Sequence, residues 1–458
     1  LAAAFVLSAA AVPVLEMGRP LLSVFLVCAA IGMALGMTIT VRGNADAPAT
    51  GIPVDAIRHV SGVVLEDGRM LPGGRVRQRV RLDTVGDSRG VVASAGGTLV
   101  LTVANGVPLA WGTRVSAGAS PRLAESGDVL VAYCDDADLR IAAHPDGILG
   151  ARRLVRHRLL GSILSPRRES DGLFAALLLG VREDLGEREF ELFRRSGTMH
   201  VLALSGMHLA ILVSIVQLLL RPVLGKRLRF GVAAVLVVAY VFVVGVRPSL
   251  VRAAVMYLLA GAALLADRRT DPRAILLTCF VVLGVAWPET VVSLSFQLSF
   301  LALLGILSVG ERLHTALRPY VPGFLLGPVC ASVGAFVLTA PVAEGTFGAL
   351  YPVGLLAGLV IAPMVTGFIW IGLAGMVAGM VGAFSAASTI GALQEWVYDA
   401  VVAVAAAAAR VPEIAFAADA QRAVFFAACV AGVLLVYRSD VQAVIRELRF
   451  PKTDSRIP

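Results

Sequence analysis

Charge is scarce in this chain. Only 16% of its 458 residues are Asp, Glu, Lys or Arg, where an ordinary soluble protein carries about 25%. Lysine is nearly absent, since 38 of the 40 basic residues are arginine. The net charge of +8 therefore rests on an arginine excess and does not by itself point to nucleic acid. Cysteine is sparse: Cys28, Cys134, Cys279, Cys330 and Cys429, none spaced as C-x-x-C and four of them in apolar segments. That pattern excludes a disulfide framework and leaves small core-filling residues. The six histidines are scattered as well, and neither His200 nor His208 has a partner at i,i+4 or an accompanying carboxylate. Zinc needs three or four clustered ligands, so no metal and no cofactor is expected.

What is abundant is apolar surface: 57% hydrophobic residues and a mean hydropathy of +0.82. Such a composition excludes a soluble globular domain and predicts a polytopic α-helical membrane protein. Residues 1–41 hold two apolar segments that read as anchoring rather than as a cleavable leader. Residues 42–150 are polar and rich in short alternating runs such as "GVVLED", "RVRQRVRL", "GTLVLTV" and "DVLVAYCDD". They predict about five or six strands and a small all-β barrel or sandwich. Residues 151–195 read as an amphipathic connector, 196–437 as the main membrane domain and 438–458 as a tail. Spans are expected at Ser196–Leu220, Phe230–Val246, Ser249–Ala266, Ala274–Trp287, Val291–Val309, Gly323–Ala340, Pro352–Phe384 and Ala423–Tyr437. From Gly345 to Gln394 no residue is charged, which implies either two spans or one span with a re-entrant piece. Ala151–Leu164 and Thr389–Phe416 mix charge with apolar positions and are expected to lie along the headgroups.

The loops alternate. "RPVLGKRLR", "DRRTDPR" and "ERLHTALRP" are basic, whereas "GVRP", "WPET" and "PVAEGTFG" carry few charges. The positive-inside rule puts the basic loops in the cytoplasm and the β domain on the opposite side.

Several spans hold polar residues that hydrocarbon tolerates poorly, so these should face a bundle interior or water. Ser205 and His208 are three apart and share a helix face, and Gly206 between them invites a close approach or a helix break. His200 lies nearby. Arg252 sits one turn into a helix that opens with Arg247 and Pro248. Ser295, Gln297 and Ser299 occupy the middle of another span, and Glu344 the outer end of a third. Together they suggest a polar path. A Ser–His pair also raises nucleophilic catalysis, but no other span supplies a second histidine and no enzymatic role is expected. In the β domain, "RVRQRVRL" puts Arg75, Arg77, Arg79 and Arg81 on one strand face, a ladder suited to a phosphate backbone or to plain solvation.

The stretch "GLFAALLLGVREDLGEREFELFRRSGTMHVLALSGMHLAIL" resembles the competence domain of ComEC-type DNA-uptake proteins, with Gly180, His200, Leu202, Ala203, Ser205, Gly206 and His208 at the family's motif positions. "RPSLVRAAVM" (Pro248, Ser249, Arg252, Ala253) and "SFQLSFLA" (Ser295 to Ser299) are similar to two later family segments. The resemblance covers about residues 172–384. It implies that the β domain is OB-like, that the protein lies in the bacterial cytoplasmic membrane, and that it is a channel for single-stranded DNA in natural transformation. The implied path is His200, Ser205, Gly206, His208, Arg252, Gln297 and Glu344. The implied partners are a DNA receptor, a nuclease, a cytoplasmic motor, membrane lipid and a second copy of the chain in a homo-oligomer. Gly358 stands where the family often has Asn. Many members end in a metallo-β-lactamase-like domain, and this chain shows no such metal motif, so a nuclease step is expected from another protein. A transporter of another anionic or lipid-linked substrate is the alternative, and an intramembrane hydrolase is a third.

Overall fold

A computed structural model describes residues 48–436 apart from 72–73, 125–128, 164–167, 269–270 and 417–418. The expected segments within residues 1–41 and the tail at 438–458 lie outside the described residues. Contacts divide the chain into two compact units. The first contains the described part of Ala34–Leu185 with Val235–Val246, and the second the described parts of Gly186–Ala234 and Arg247–Pro458.

The first unit is built on a ten-stranded sheet. Its strands are β1 (Ala49–Thr50), β2 (Ile57–Val64), β3 (Arg69–Leu71), β4 (Arg75–Asp87), β5 (Val92–Gly96), β6 (Thr98–Ala104), β7 (Arg114–Gly118), β8 (Arg122–Leu123), β9 (Leu130–Asp135) and β10 (Leu139–Ala143). The sequence expectation of five or six strands is corrected upward. The missed ones are β1 and β8, each two residues long, and β5 and β10. Those four are too short, or too poor in alternating large apolar residues, to show a period of two. The main path runs β10-β7-β2-β4-β6-β9-β8, and only β6–β9 is parallel.

Alternation decides the core. Val80 and Leu82 of β4 are buried with Val60, Leu99, Leu101, Val115 and Leu130, Val76 is buried as well, and Arg75, Arg77, Arg79 and Arg81 are exposed. One inward position breaks the rule. Gln78 is 1% exposed, and neither end of its amide finds a partner in the protein. A buried amide left unpaired costs about 1–3 kcal/mol. Gln78→Met, which conserves volume, is therefore expected to raise the stability of this domain by about 1 kcal/mol, read by thermal unfolding of the purified protein. An unchanged or lower midpoint would show that the amide is satisfied.

Helix α1 (Gly147–Ile163) starts inside the segment assigned to the β zone, and α2 (Glu169–Leu179) follows it. An ionic node ties α1 to the sheet. Asp67, in the turn after β2, accepts from Arg152 Nη1 and Nη2 at 2.8 and 2.5 Å, from Arg156 Nη1 at 2.6 Å and from the Trp111 N–H at 2.9 Å. Arg152 Nε also donates to the Phe242 carbonyl at 2.6 Å, and Arg156 reaches that of Val244 at 3.3 Å. These carbonyls belong to the last turn of a long apolar helix, whose orphan acceptors need donors.

The helices of the second unit are α3 (Glu187–Arg195), α4 (Met199–Leu202), α5 (Gly206–Leu220), α6 (Lys226–Val244, which contributes a stretch to each unit), α7 (Pro248–Leu265), α8 (Pro272–Ala286), α9 (Pro288–Val291), α10 (Leu294–Gly305), α11 (Glu311–Leu317), α12 (Gly323–Phe347), α13 (Val353–Met380), α14 (Phe384–Ala408) and α15 (Asp419–Val436). A π-helical turn, Ile306–Gly310, joins α10 to α11. Among the described residues, six helices are long and apolar enough to cross a membrane: α6, α7, the continuous Leu294–Leu317, α12, α13 and α14.

The helices answer the sequence reading at three places, one of them a choice it had left open. The span Ser196–Leu220 is broken at residues 203–205, leaving α5 with only 15 residues. The uncharged stretch forms α13, continuous through Gly354, Gly358 and Pro363, and then the start of α14, so the two-helix alternative is the one observed. Thr389–Phe416, expected along the headgroups, falls largely in a helix of span length. Most of it lies in α14, whose 25 residues have span-like hydropathy despite Glu395 and Asp399.

Candidate functional site

The helix break at Ser205 is capped from within. Ser205 is extended, at φ −128° and ψ 173°, and serves as the N-cap of α5. Its Oγ accepts from the Met207 N–H at 3.3 Å. In return, the Ser205 N–H donates to His208 Nδ1 at 3.1 Å, and the Ser205 hydroxyl lies 3.2 Å from the same nitrogen. This is a capping box with histidine in place of the usual Glu or Gln. It has a chemical consequence. A ring nitrogen that accepts from a backbone N–H carries no proton, so the neutral ring holds its proton on Nε2. His208 is 2% exposed, and its Nε2 has no partner. The N–H that results is a buried donor aimed at no protein atom.

The same accounting argues against a Ser–His nucleophile. The Nδ1 lone pair that would take the serine proton already holds the Ser205 N–H. The hydroxyl is itself occupied as the helix cap.

Helix α7 packs against α5 and α10 and brings Arg252 to the break. Arg252 Nη1 donates to the Ser299 carbonyl of α10, and its guanidinium lies 5.8 Å from the centre of the Phe300 ring. A Cβ added at Gly206 would stand 3.6 Å from Arg252 Nη2 and 3.1 Å from the Ala253 Cβ. Glycine is thus what lets α7 approach the first turn of α5. Arg252 Nε is buried without a partner, and among the described residues no carboxylate lies within ion-pair distance of this side chain. A helix N-terminus carries about half a positive charge. Here the guanidinium approaches that terminus at Gly206, and the first turn of α5 also carries the orphaned imidazole N–H of His208. Their combined chemistry is that of an anion site. Ser249 and Cys279 hold the frame, through Ser249 Oγ to the Leu204 carbonyl at 2.7 Å and Cys279 Sγ to the Arg252 carbonyl at 3.6 Å.

Other residues of the expected path sit differently. Gln297, 6% exposed, turns back on its own chain and donates to the Val292 carbonyl at 3.3 Å. Glu344, 5% exposed, lies 3.1 Å from Arg422 of α15, a partner that sequence reading did not suggest. His200 is exposed on α4 and faces α13, where a Cβ at Gly358 would come 3.9 Å from its Nε2. The position at which the family often carries Asn therefore lies against the first motif histidine.

The arginine ladder has company. Register pairs Arg77 with Thr102 and Thr102 with Tyr133, and Arg79 with Val100 and Val100 with Val131, which in turn faces Arg122. Cross-strand partners share a face. The exposed ladder, the half-buried Val131 and the 69%-exposed Tyr133 therefore lie on one face, with Thr102 buried between them. At its end a cavity of about 810 Å³ is lined by Arg58, Arg75, Arg122, Tyr133, Asp135 and Asp138, among others. Tyr133 could have been placed there from sequence, since it is in phase with Val131 along "DVLVAYCDD".

Comparison with known proteins gives one family. The competence protein family matches residues 177–440. A protein of Aquifex aeolicus (strain VF5) described as uncharacterized is 31% identical over 173 residues, 38% of this chain and 39% of its own length. ComE operon protein 3 of Bacillus subtilis (strain 168) is 26% identical over 160 residues, 34% of this chain and 20% of its own. The chain thus spans less than half the length of these relatives. No solved structure matches it. The family match takes in the capped break at Ser205, Arg252 of α7 and all six span-length helices, and this chain is a multi-pass membrane protein of the competence protein family.

Proposed function

We propose that the protein takes part in DNA uptake and forms the path by which a single DNA strand crosses the cytoplasmic membrane during natural transformation. The observation that carries this reading is the set of buried donors at the α5 break, where Arg252 has no ion-pair partner among the described residues and neither its Nε nor His208 Nε2 finds a protein acceptor. A strand supplies one phosphate per nucleotide, and donors that do not enclose the phosphate let it move on. The strand is delivered by a receptor and nuclease on the outer side and drawn in by a cytoplasmic motor.

The β domain, OB-like in this reading, lies on the outer side. Support comes from the first unit: Arg152 and Arg156, both held by Asp67, donate to the carbonyls of Phe242 and Val244, just before the sparsely charged turn "GVRP". The positive-inside rule makes that turn external. The ladder and Tyr133 give this domain a face with both phosphate donors and a stacking ring.

A clean deletion strain tests the reading. DNA should accumulate outside the cytoplasm while uptake into it is lost, and normal transformation would end the proposal. For the β domain, the full-length protein in nanodiscs with Arg77→Glu and Arg79→Glu together should bind single-stranded DNA at least tenfold more weakly and with a shallower salt dependence. Each phosphate contact removed lowers the slope by about 0.7. Unchanged binding would assign the ladder to solvation.

A further inference from the structure

The segment Leu294–Leu317 carries one feature that the anion site does not use. Between α10 and α11 the helix widens into the π turn Ile306–Gly310. A π turn holds one residue more than the α-helix would, and single π turns inside helices concentrate at functional positions. Three observations show how this one is held. Leu307 lies within it, and its carbonyl accepts from Arg273 of α8 through both Nε, at 3.1 Å, and Nη2, at 3.0 Å. The same Nη2 lies 2.6 Å from Glu311, in the first turn of α11. The Ser308 hydroxyl, on a residue 1% exposed, donates back to the Leu304 carbonyl. Insertion of a side chain into the helical ladder is one of the few causes of a local deformation.

On the other side the helices approach closely at glycines. Helix α12 crosses this turn at Gly334, between Pro328 and Pro341. A Cβ at Gly334 would come within 2.8 Å of the Gly310 nitrogen, and one at Gly310 within 2.9 Å of the Cys330 carbonyl. A Cβ at Gly305 would strike the Gly334 carbonyl. At these three glycines backbone therefore meets backbone, and beside them Val309 of the turn packs in one apolar cluster with Leu338 and Val342 of α12.

Two guanidiniums thus grip carbonyls of one helical segment from neighbouring helices: Arg252 of α7 on Ser299, and Arg273 of α8 on Leu307. Eight residues separate the two carbonyls, about 12 Å of helix. We propose that the turn Ile306–Gly310 is a register joint latched by Arg273, and that the latch sets the rotational position of the Ser299 carbonyl that holds Arg252. Moving the extra residue out of the turn rotates what lies on one side by about 100° relative to the other. In that state the Ser299 carbonyl leaves Arg252, and the guanidinium is free to turn to a phosphate. Arg273 is a positioning residue in this scheme. The last step rests on the proposed DNA path, whereas the joint itself does not.

The experiment uses the full chain in the deletion strain and, purified, in nanodiscs. Spin labels at Thr278 of α8 and Thr315 of α11 report the rotation without any DNA. The wild type should give one distance. Arg273→Gln should split it into two populations and lower DNA uptake at least tenfold. Arg273→Lys, which keeps the pair with Glu311 but loses the forked donation, should do both more mildly and secures the test if the glutamine variant does not fold. Deletion of Ser308 should give a single, new distance and no uptake. A single unchanged distance in both Arg273 variants overturns the joint, whatever uptake does. Arg252→Ala is run beside them. If it abolishes uptake while the Arg273 variants keep the wild-type distance, the joint alone is wrong. If the distances split as expected and Arg252→Ala has no effect on uptake, the path reading is wrong and the joint stands.

Discussion

Replacing Arg252 with alanine is expected to cut DNA transfer into the cytoplasm roughly 10- to 150-fold, the equivalent of the ~1.5–3 kcal/mol that a hydrogen bond to a charged group contributes. The expectation follows from the surroundings of the guanidinium. It binds a neutral carbonyl, that of Ser299, and its Nε has no partner. It therefore contributes cationic charge that no carboxylate among the described residues neutralises. Arg252→Lys should recover part of the transfer, because a point charge remains while the fork that matches a phosphate is lost. His208→Ala removes one neutral donor, and a loss of about tenfold or less is expected. Ser205→Ala removes the cap of α5, worth about 1 kcal/mol, and should cost no more than about fivefold. An intramembrane hydrolase would show the reverse order, dead at Ser205 and tolerant at Arg252. The measurement is internalised against surface-bound labelled DNA in a complemented deletion strain, with protein amounts matched by immunoblot. Wild-type transfer by Arg252→Ala would refute the site.

The second large effect concerns stability. Asp67→Ala should destabilise the first unit by about 3–5 kcal/mol, because it leaves Arg152, 2% exposed, as a buried cation without its counter-ion. Asp67→Ala combined with Arg152→Met should recover most of that loss, since a buried ion pair is often replaceable by apolar groups of similar size. The node also predicts an acid limb. Burial alone would raise the Asp67 carboxyl, but the hydrogen bonds from Arg152, the charge of Arg156 and the Trp111 N–H outweigh it and hold the group below its ordinary value of 3.8. A carboxyl lowered in the folded state stabilises fully above that ordinary value, and the contribution fades as pH falls through the native one. The wild type should therefore lose stability below pH 3.8 more steeply than Asp67→Asn, which is weaker throughout but has no carboxyl to protonate. Unfolding midpoints measured across that window decide it, and parallel curves would remove Asp67 as the titrating group.

Much of this was legible along the chain. Alternation in "RVRQRVRL" put the arginines on one face because strand geometry has a period of two, whatever the partner strands are. Ser205 and His208 were expected to share a face, and they do meet, because a capping box spans only four consecutive residues. The break itself was one of two options that Gly206 left open. What failed was length. An apolar run shows that a segment prefers hydrocarbon but not where its helix starts, so Ser196–Leu220 read as one span although its polar groups interrupt it. Thr389–Phe416 shows the converse, since Glu395 and Asp399 sit in a helix whose length and apolar content match those of a span.

Sequence alone determined the class of molecule, the alternation of basic and sparsely charged loops, the arginine row and the family motifs, because each is a property of composition or of residues a few positions apart. Only the tertiary structure decided who meets whom. Asp67 finds Arg152 across 85 residues and Arg252 finds Ser299 across 47, and no local period encodes such pairs. They are selected when apolar burial brings whole helices and sheets together and every polar group caught between them must then find a partner or be left, like His208 Nε2, without one.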